Sequence, residues 1–232
     1  MSGEEQSVPV PTGQEQPQDQ GAISEEKEEA TSDAPLPESA PSQGPPENGV
    51  YEEYRDGKLM SLSTYQEGAL HGEVRLYGDD GFLTQRAHYA QDMLHGTFEA
   101  FEGGRMTLLA HYKNGVLEGP CYAYKSNGLI QSCANYAKGV LSGVFLAYDD
   151  KGHVAQAMTY AEGKKNGFCV LYYPGGSMLS QGTYVDDVEE GVFYKYHDNG
   201  LVLEFCKYKA GVPVEGPFLY DPEGKLITPQ KS

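Results

Sequence analysis

A glycine-closed unit of 23 to 25 residues recurs seven times from Gly49 and begins an eighth. That periodicity makes the chain a repeat protein before any site is considered. The units open at Gly49, Gly72, Gly96, Gly119, Gly143, Gly167, Gly191 and Gly216. A turn glycine stands at Gly57, Gly81, Gly104, Gly128, Gly152, Gly176 and Gly200, and a tyrosine follows each by eight residues, from Tyr65 to Tyr208. Units of this size bury their apolar faces against neighbouring units, so no globular centre is required.

Each unit reads as a β-hairpin. Gly119 to Ser142, GPCYAYKSNGLIQSCANYAKGVLS, has two extended runs on either side of Asn127-Gly128. Asn-Gly predicts a two-residue type I′ turn with both residues at positive φ. A second turn follows the repeated tyrosine, with Gly68, Gly115, Gly139, Gly163 and Gly211, and with Asp92 and Asp187 in the two exceptions. Two residues on stand Leu70, Leu94, Leu117 and Leu141. Lys165 and Glu189 break that column, so this edge is expected to be less buried toward the C-terminal half. A lone hairpin is marginal in water. Successive hairpins therefore join into one all-β, elongated antiparallel sheet, twisted or coiled into a solenoid.

A two-residue turn at Asn127-Gly128 pairs Cys121 with Ala134. It also places Cys121, Ala123, Ile130, Ser132, Ala134 and Tyr136 on one face. The Ile130 column stays apolar through Leu59, Leu83, Met106, Val154, Met178, Val202 and Leu226, which marks this as the expected core face. A further column is aromatic throughout: Tyr54, Tyr77, Phe101, Tyr124, Tyr148, Tyr172, Tyr196 and Tyr220. Its three-residue offset from the Cys121 column does not fit one face of a regular strand. Either both faces are apolar, or a bulge in each first strand turns both columns inward. If the faces differ, Tyr124, Tyr148 and Tyr172 form the candidate protein-binding row. Otherwise the rings stack and brace a thin sheet.

Composition divides the chain near residue 48. Residues 1 to 48 hold no aromatic residue, eight of the 14 prolines, and 11 acidic residues against the single Lys27. Such a segment is expected to be disordered, an acidic Pro-rich tail ahead of a repeat domain at 49–232. No signal peptide is read there, and no apolar run is long enough to span a membrane. Of the formal charge of -17, the tail supplies -10. Neither part offers a basic patch for nucleic acid or for direct membrane binding. Cys121, Cys133, Cys169 and Cys206 form no CxxC motif. Cys121 and Cys169 share a column with Tyr51, Val74, Phe98, Phe145, Phe193 and Phe218, and read as small buried hydrophobes of a reduced, cytoplasmic protein.

No constellation points to catalysis, a cofactor or a metal. Histidines one unit apart are about 10 Å apart, too far to share a zinc ion. The acidic pairs Asp79-Asp80, Asp149-Asp150, Asp186-Asp187 and Glu189-Glu190 sit at turns and junctions, where short hairpins leave no cleft between carboxylates. The chain thus reads as a non-catalytic binding module, with a scaffold or self-association role as the alternative.

The motif resembles the MORN repeat family, in the variant found in bacterial YwqK-family toxin–antitoxin antitoxins. Tyr196, Asn199-Gly200 and Tyr208 carry the first part of the likeness. Tyr112, Lys113, Asn114 and Gly115 carry the middle, and His71-Gly72, His95-Gly96 and Asn166-Gly167 the closing pair. The closing residue is instead Glu118, Ser142, Glu190 or Glu215 in four units, and the linker before Gly216 is one residue longer. The resemblance implies a hairpin-repeat sheet and a protein partner, a toxin or the chain itself. It supplies no catalytic residue. Thr228-Pro229 reads as an edge-strand cap.

Overall fold

The computed structural model describes residues 44–227. Most of the acidic tail and the Thr228-Pro229 cap lie outside the described residues. Within them the chain is all strand and turn, in one open antiparallel sheet of nineteen strands.

The strands alternate along the chain as the first and second arms of successive units. The first three units contribute β1 (Gly49–Arg55), β2 (Lys58–Gln66), β3 (Ala69–Tyr77), β4 (Leu83–Ala90), β5 (Met93–Glu102) and β6 (Arg105–Lys113). The fourth and fifth contribute β7 (Val116–Leu117), β8 (Gly119–Tyr124), β9 (Ile130–Ala137), β10 (Val140–Leu141), β11 (Gly143–Tyr148) and β12 (Val154–Ala161). The sixth and seventh follow with β13 (Lys164–Tyr172), β14 (Met178–Val185), β15 (Val188–Glu189), β16 (Gly191–Tyr196) and β17 (Val202–Lys209). The partial eighth unit is β18 (Val212–Tyr220) and β19 (Leu226–Ile227). Strands pair with their neighbours in sequence. β7, β10 and β15 are short leading pieces of the rows that continue as β8, β11 and β16. These rows break at Glu118, Ser142 and Glu190, three of the four residues that depart from the closing pattern.

The two turns of the unit are built differently, and not as Asn127-Gly128 suggested. In the fourth unit the two-residue turn with both residues at positive φ is the second one, Lys138-Gly139, at 53 and 80. Glu67 and Gly68 have the type I′ signs, with φ of 53 and 78, as do Asn114 and Gly115 at 51 and 78. Aspartate tolerates this conformation, and Asp92 and Asp187 do so at φ 61 and 70. Their carboxylates accept from the backbone N–H of Leu70 and Lys165, each at 2.8 Å, in the preceding unit. In the first turn of the fourth unit only Gly128 is at positive φ. Gly128 N–H donates to Lys125 O at 2.9 Å, and Lys125 N–H to Leu129 O at 2.8 Å, which closes a three-residue loop. Asn127 contributes as an acceptor, its Oδ1 taking Leu129 N–H at 3.0 Å.

This loop would displace the strand register by one residue, but a bulge restores it. Tyr124 pairs with Ile130, Ala123 with Ser132, and Gln131 is the unpaired extra residue. Equivalent shifts occur in each complete hairpin, with the extra residue always in the second strand and not in the first. The Cys121–Ala134 pair is as expected. Ile130 is not on that face: the bulge carries it across the sheet to join Tyr124.

The resulting packed face holds Cys121, Ala123, Ser132, Ala134 and Tyr136. Its small middle column accounts for the deepest burial, at Ser63, Ala87, Ala110 and Cys206, with Val74 from the neighbouring column. Rings close over these small residues edge to face, as in Tyr51–Tyr65, Phe98–Tyr112, Phe145–Tyr160 and Phe193–Tyr208, with centroids 5.1 to 6.4 Å apart. Gly182 is the extreme case, since a Cβ there would lie 2.2 Å from the Phe193 ring. Burial on this face is shallow for a protein of this size, because one sheet supplies the whole layer. Cys121 and Cys169 are half-buried, and Cys206 is the deeply buried thiol. Desolvation pushes the Cys121 and Cys169 thiols up from their ordinary value. Lys165 and Glu189 are as half-buried as the leucines they replace. The Lys165 ammonium lies 4.9 Å over the Tyr184 ring, so the stem packs where an aliphatic would.

The last unit breaks the column pattern. Phe218 pairs with Phe205 and not with the Cys206 position, because the longer linker slips β18 by one residue. Phe218 therefore faces the side of Tyr220, opposite to Phe193. Pro213 occupies the column of Leu70 and Lys165, whose N–H groups reach forward to the next unit's turn. Among the described residues no later second turn follows β18 to take that donor, which suits proline.

Candidate functional site

The bulge is what makes the opposite, open face. It places Tyr124 across from Ile130, Tyr148 across from Val154 and Tyr172 across from Met178, so both repeated columns meet on one surface. Tyr124, Tyr148 and Tyr172 each end a first strand, beside the first turn, and all are half-buried. Among the described residues no ring contact joins these three to one another, so they do not brace the sheet by stacking. Instead Tyr148 and Tyr196 reach side chains of a neighbouring strand. Tyr148 OH lies 3.9 Å from Cys133 Sγ, and Tyr196 OH accepts from Gln181 Nε2 at 2.6 Å.

Side chains from the first turns fix the spacing of this row. Lys125 Nζ donates to Tyr148 O at 3.1 Å and to Asp149 O, and pairs with Asp150 at 2.9 Å. Tyr173 OH donates to Tyr196 O at 2.8 Å, and His197 Nε2 lies 3.0 Å from Tyr220 O. Each of these three residues directly follows a column tyrosine, so the unit that presents a ring also holds the next ring's backbone.

Sequence reasoning missed the two columns beside the tyrosines. Counting back two residues from each column tyrosine gives Glu52, Arg75, Glu99, Tyr122, Leu146, Val170 and Tyr194. Their cross-strand partners in the preceding unit are, from Arg75 onward, Leu62, Arg86, Leu109, Cys133, Ala157 and Gln181. The signal was available as i, i+2 alternation from Tyr124, once the bulge had separated the faces. These columns change character along the chain. In the N-terminal units Arg86 pairs with the buried Glu99 at 2.6 Å, and Arg75 with Glu73 at 2.7 Å. From Tyr122 onward they are mainly apolar. At the far end Tyr194 packs against Phe205 at 5.5 Å and Phe205 against Phe218 at 6.0 Å. Tyr194, Leu201, Val202, Phe205, Tyr220 and Gly224 line a shallow open depression there.

Two hydroxyls of the row, Tyr148 and Tyr124, are raised above their ordinary value. Burial first, then Cys133 and Tyr122, pushes the Tyr148 hydroxyl up to about 12. Burial, then Tyr122 and Glu99, raises Tyr124. At neutral pH these side chains are phenols, each able to donate and accept one or more hydrogen bonds beside a large apolar ring. Histidines and acidic pairs take part in turns: Asp149 Oδ1 accepts from the N–H of Lys151 and His153, both at 2.8 Å, and His95 Nδ1 lies 3.0 Å from Asn114 Oδ1. No group of three or more potential metal ligands converges among the described residues. No helix of the described residues is long and apolar enough to cross a membrane. Compared with known proteins, the chain matches no family model and no curated sequence.

Proposed function

We propose that this chain is a non-catalytic protein-binding repeat module whose partner docks on the open face, across Tyr124, Tyr148 and Tyr172. One observation carries the reading. The neighbouring columns of that face turn from ion-paired to apolar at Tyr122, while the fold stays the same. The fold accepts Glu52, Arg75 and Glu99 at those positions, so Tyr122, Leu146 and Val170 are not required by it. Tyrosine rings with free hydrogen-bonding capacity beside half-buried aliphatics have the composition of an interface centre. The likeness to antitoxins adds a toxin as the partner class to try first, and four unpaired thiols support a reducing, cytoplasmic setting.

A native pull-down with the full chain, followed by Tyr148→Ala in binding and melting assays, tests this. Lost binding with a near-normal melt supports the interface. Retained affinity with a large melting loss would make Tyr148 a brace and remove the proposal. A self-association reading is favoured by one specific feature. The terminal hairpin leaves Phe218, Leu219, Leu226 and Ile227 between 38% and 48% exposed. Sedimentation of the chain with and without Phe218→Ser separates the two: a dimer that the substitution dissolves would assign that end to self-contact.

A further inference from the structure

We propose that the outer edge of β1 is a second docking site, for a basic extended segment of a partner protein that adds to the sheet as an antiparallel strand. The repeat itself supplies the template. Later first strands have the preceding unit's second strand on this side, as in Glu99 opposite Arg86, Tyr122 opposite Leu109 and Leu146 opposite Cys133. Among the described residues β1 pairs with β2 alone. Its outward backbone groups therefore form an unextended ladder.

The side chains on β1 state what would fit. Glu52 occupies the position that Glu99 holds two units later. There the incoming strand brings Arg86, whose guanidinium meets the Glu99 carboxylate at 2.6 Å. Among the described residues the Glu52 carboxylate accepts from Tyr54 OH alone, at 2.8 Å. Glu53 beside it accepts from Ser61 Oγ at 3.3 Å. Val50 and Tyr54 are 58% and 52% exposed, so apolar contact remains open on the same edge. β1 reads GVYEEYR and contains no proline, whereas at the opposite end of the described sheet the two-residue β19 covers only Leu219 and Tyr220 of β18, and the rest of β18 carries Pro213 and Pro217. Proline removes ladder donors, so of the two ends it is β1 that remains competent to be extended.

The chain's own upstream sequence is a poor occupant. One 23-residue unit before β2 falls on residues 35–43, PLPESAPSQ. Three prolines there remove donors, and no cation is present to face Glu52. The fitting segment instead has a cation opposite Glu52 and small or apolar residues on alternate positions, as Leu83-Thr84-Gln85-Arg86-Ala87-His88-Tyr89 has opposite β5. Like charges directly opposite each other on paired strands are destabilising, and opposite charges favourable.

A synthetic peptide copying Leu83–Ala90 is the probe, titrated into the ¹⁵N-labelled full chain. The amides of Gly49–Arg55 should shift and become protected from solvent exchange, while those of Val212–Tyr220 should not. Glu52→Arg should weaken binding by about tenfold, and a peptide with glutamate in place of its arginine should bind that variant better than the parent chain. Tyr148→Ala should leave peptide affinity unchanged, which separates this site from the open face. The proposal is overturned if Glu52→Arg binds the original peptide equally well, or if the shifts centre on Tyr124 to Tyr172. It is also overturned if the outward-facing β1 amides, those not bonded to β2, are already protected before peptide is added, because the chain or a second copy would then cover the edge.

Discussion

Between Gly49 and Glu118 the open face is crossed by Glu52, Arg75, Arg86 and Glu99; between Gly119 and Tyr220 the corresponding positions hold Tyr122, Leu146, Val170 and Tyr194, with Cys133, Ala157 and Gln181 opposite. Antiparallel pairing and the bulge in each second strand recur in both stretches. On the opposite face edge-on ring pairs recur from Tyr51–Tyr65 to Phe193–Tyr208, over a middle column that is small except at Met158, and the Lys195–Glu204 pair lies at its far end. The difference separates what the backbone demands from what it tolerates. A repeat must keep its positive-φ turn residues and its small buried column. It is free to vary side chains that meet only solvent or a partner, and variation there is where function can be written.

The sharpest way to break this contrast is on the packed face. Gly182→Val sets a Cβ against the Phe193 ring, which is itself wedged between Tyr184 and Tyr208 at 5.4 and 5.1 Å. Overpacking of this kind costs about 3 kcal/mol, read as a lower denaturation midpoint. An unmoved midpoint would mean that the ring is free to leave and that this face is not packed in the sense described.

A pair of truncations then compares the faces directly. Tyr160→Ala removes a ring that meets Phe145 edge-on at 6.3 Å, and should cost about 2 kcal/mol. Tyr148→Ala should cost about 1 kcal/mol, since its hydroxyl meets only the long Cys133 contact. Chemical denaturation of both variants decides it, and the opposite ranking would reverse the assignment of faces.

Within the open face, Glu99→Gln weakens the Arg86 pair where Glu99 is 9% exposed, and should cost about 1 kcal/mol. Tyr122→Leu at the equivalent position of the next unit should stay within about 0.5 kcal/mol. Equal losses would show that the apolar stretch is as structural as the ion-paired one.

The smallest effect is alkaline. Tyr148 keeps its proton to about 12 in the fold against an ordinary 10.0, so its contribution to stability is complete below pH 10. That contribution is lost as pH rises toward 12, because the unfolded chain releases the proton first. Absorbance titration of the native chain should show two late-ionising tyrosines, Tyr148 and Tyr208, of which Tyr148→Phe removes one. A curve unchanged by the substitution would place that ring in water.

The hairpin array was legible because glycine spacing reports backbone conformation directly. Gly68 and Gly115 stand where φ is 78 in both cases, a value costly for other residues. The faces were legible only in part. A two-residue turn and a three-residue loop followed by a bulge both pair Cys121 with Ala134, so that pair cannot reveal which is present. Ile130 lies between the loop and the bulge, and there the two solutions put a side chain on opposite sides. Unit length holds the missing clue. The units opening at Gly49 and Gly96 are 23 residues long and have two-residue first turns, Asp56-Gly57 and Gly103-Gly104, with both residues at positive φ. The units of 24 residues carry the longer loop. Of the site, the aromatic row was visible as a column. Its neighbours Tyr122 and Leu146 were not, because the columns they belong to begin with Glu52 and Arg75 and so show no common chemistry.

Along the margin of the second turns, each turn's N–H reaches back to a carbonyl of the unit before it: Gly115 to Leu94 at 2.7 Å, Gly139 to Leu117 at 2.8 Å, Gly163 to Leu141 at 2.9 Å. The partners are always already-synthesised residues, little more than twenty positions upstream. A chain leaving the ribosome therefore never has to hold an unfinished unit open for a distant sequence still to be made. Each hairpin finds its neighbour waiting, and the array grows in the order of translation. Contacts this local favour fast assembly and leave little time for an exposed edge to meet another chain.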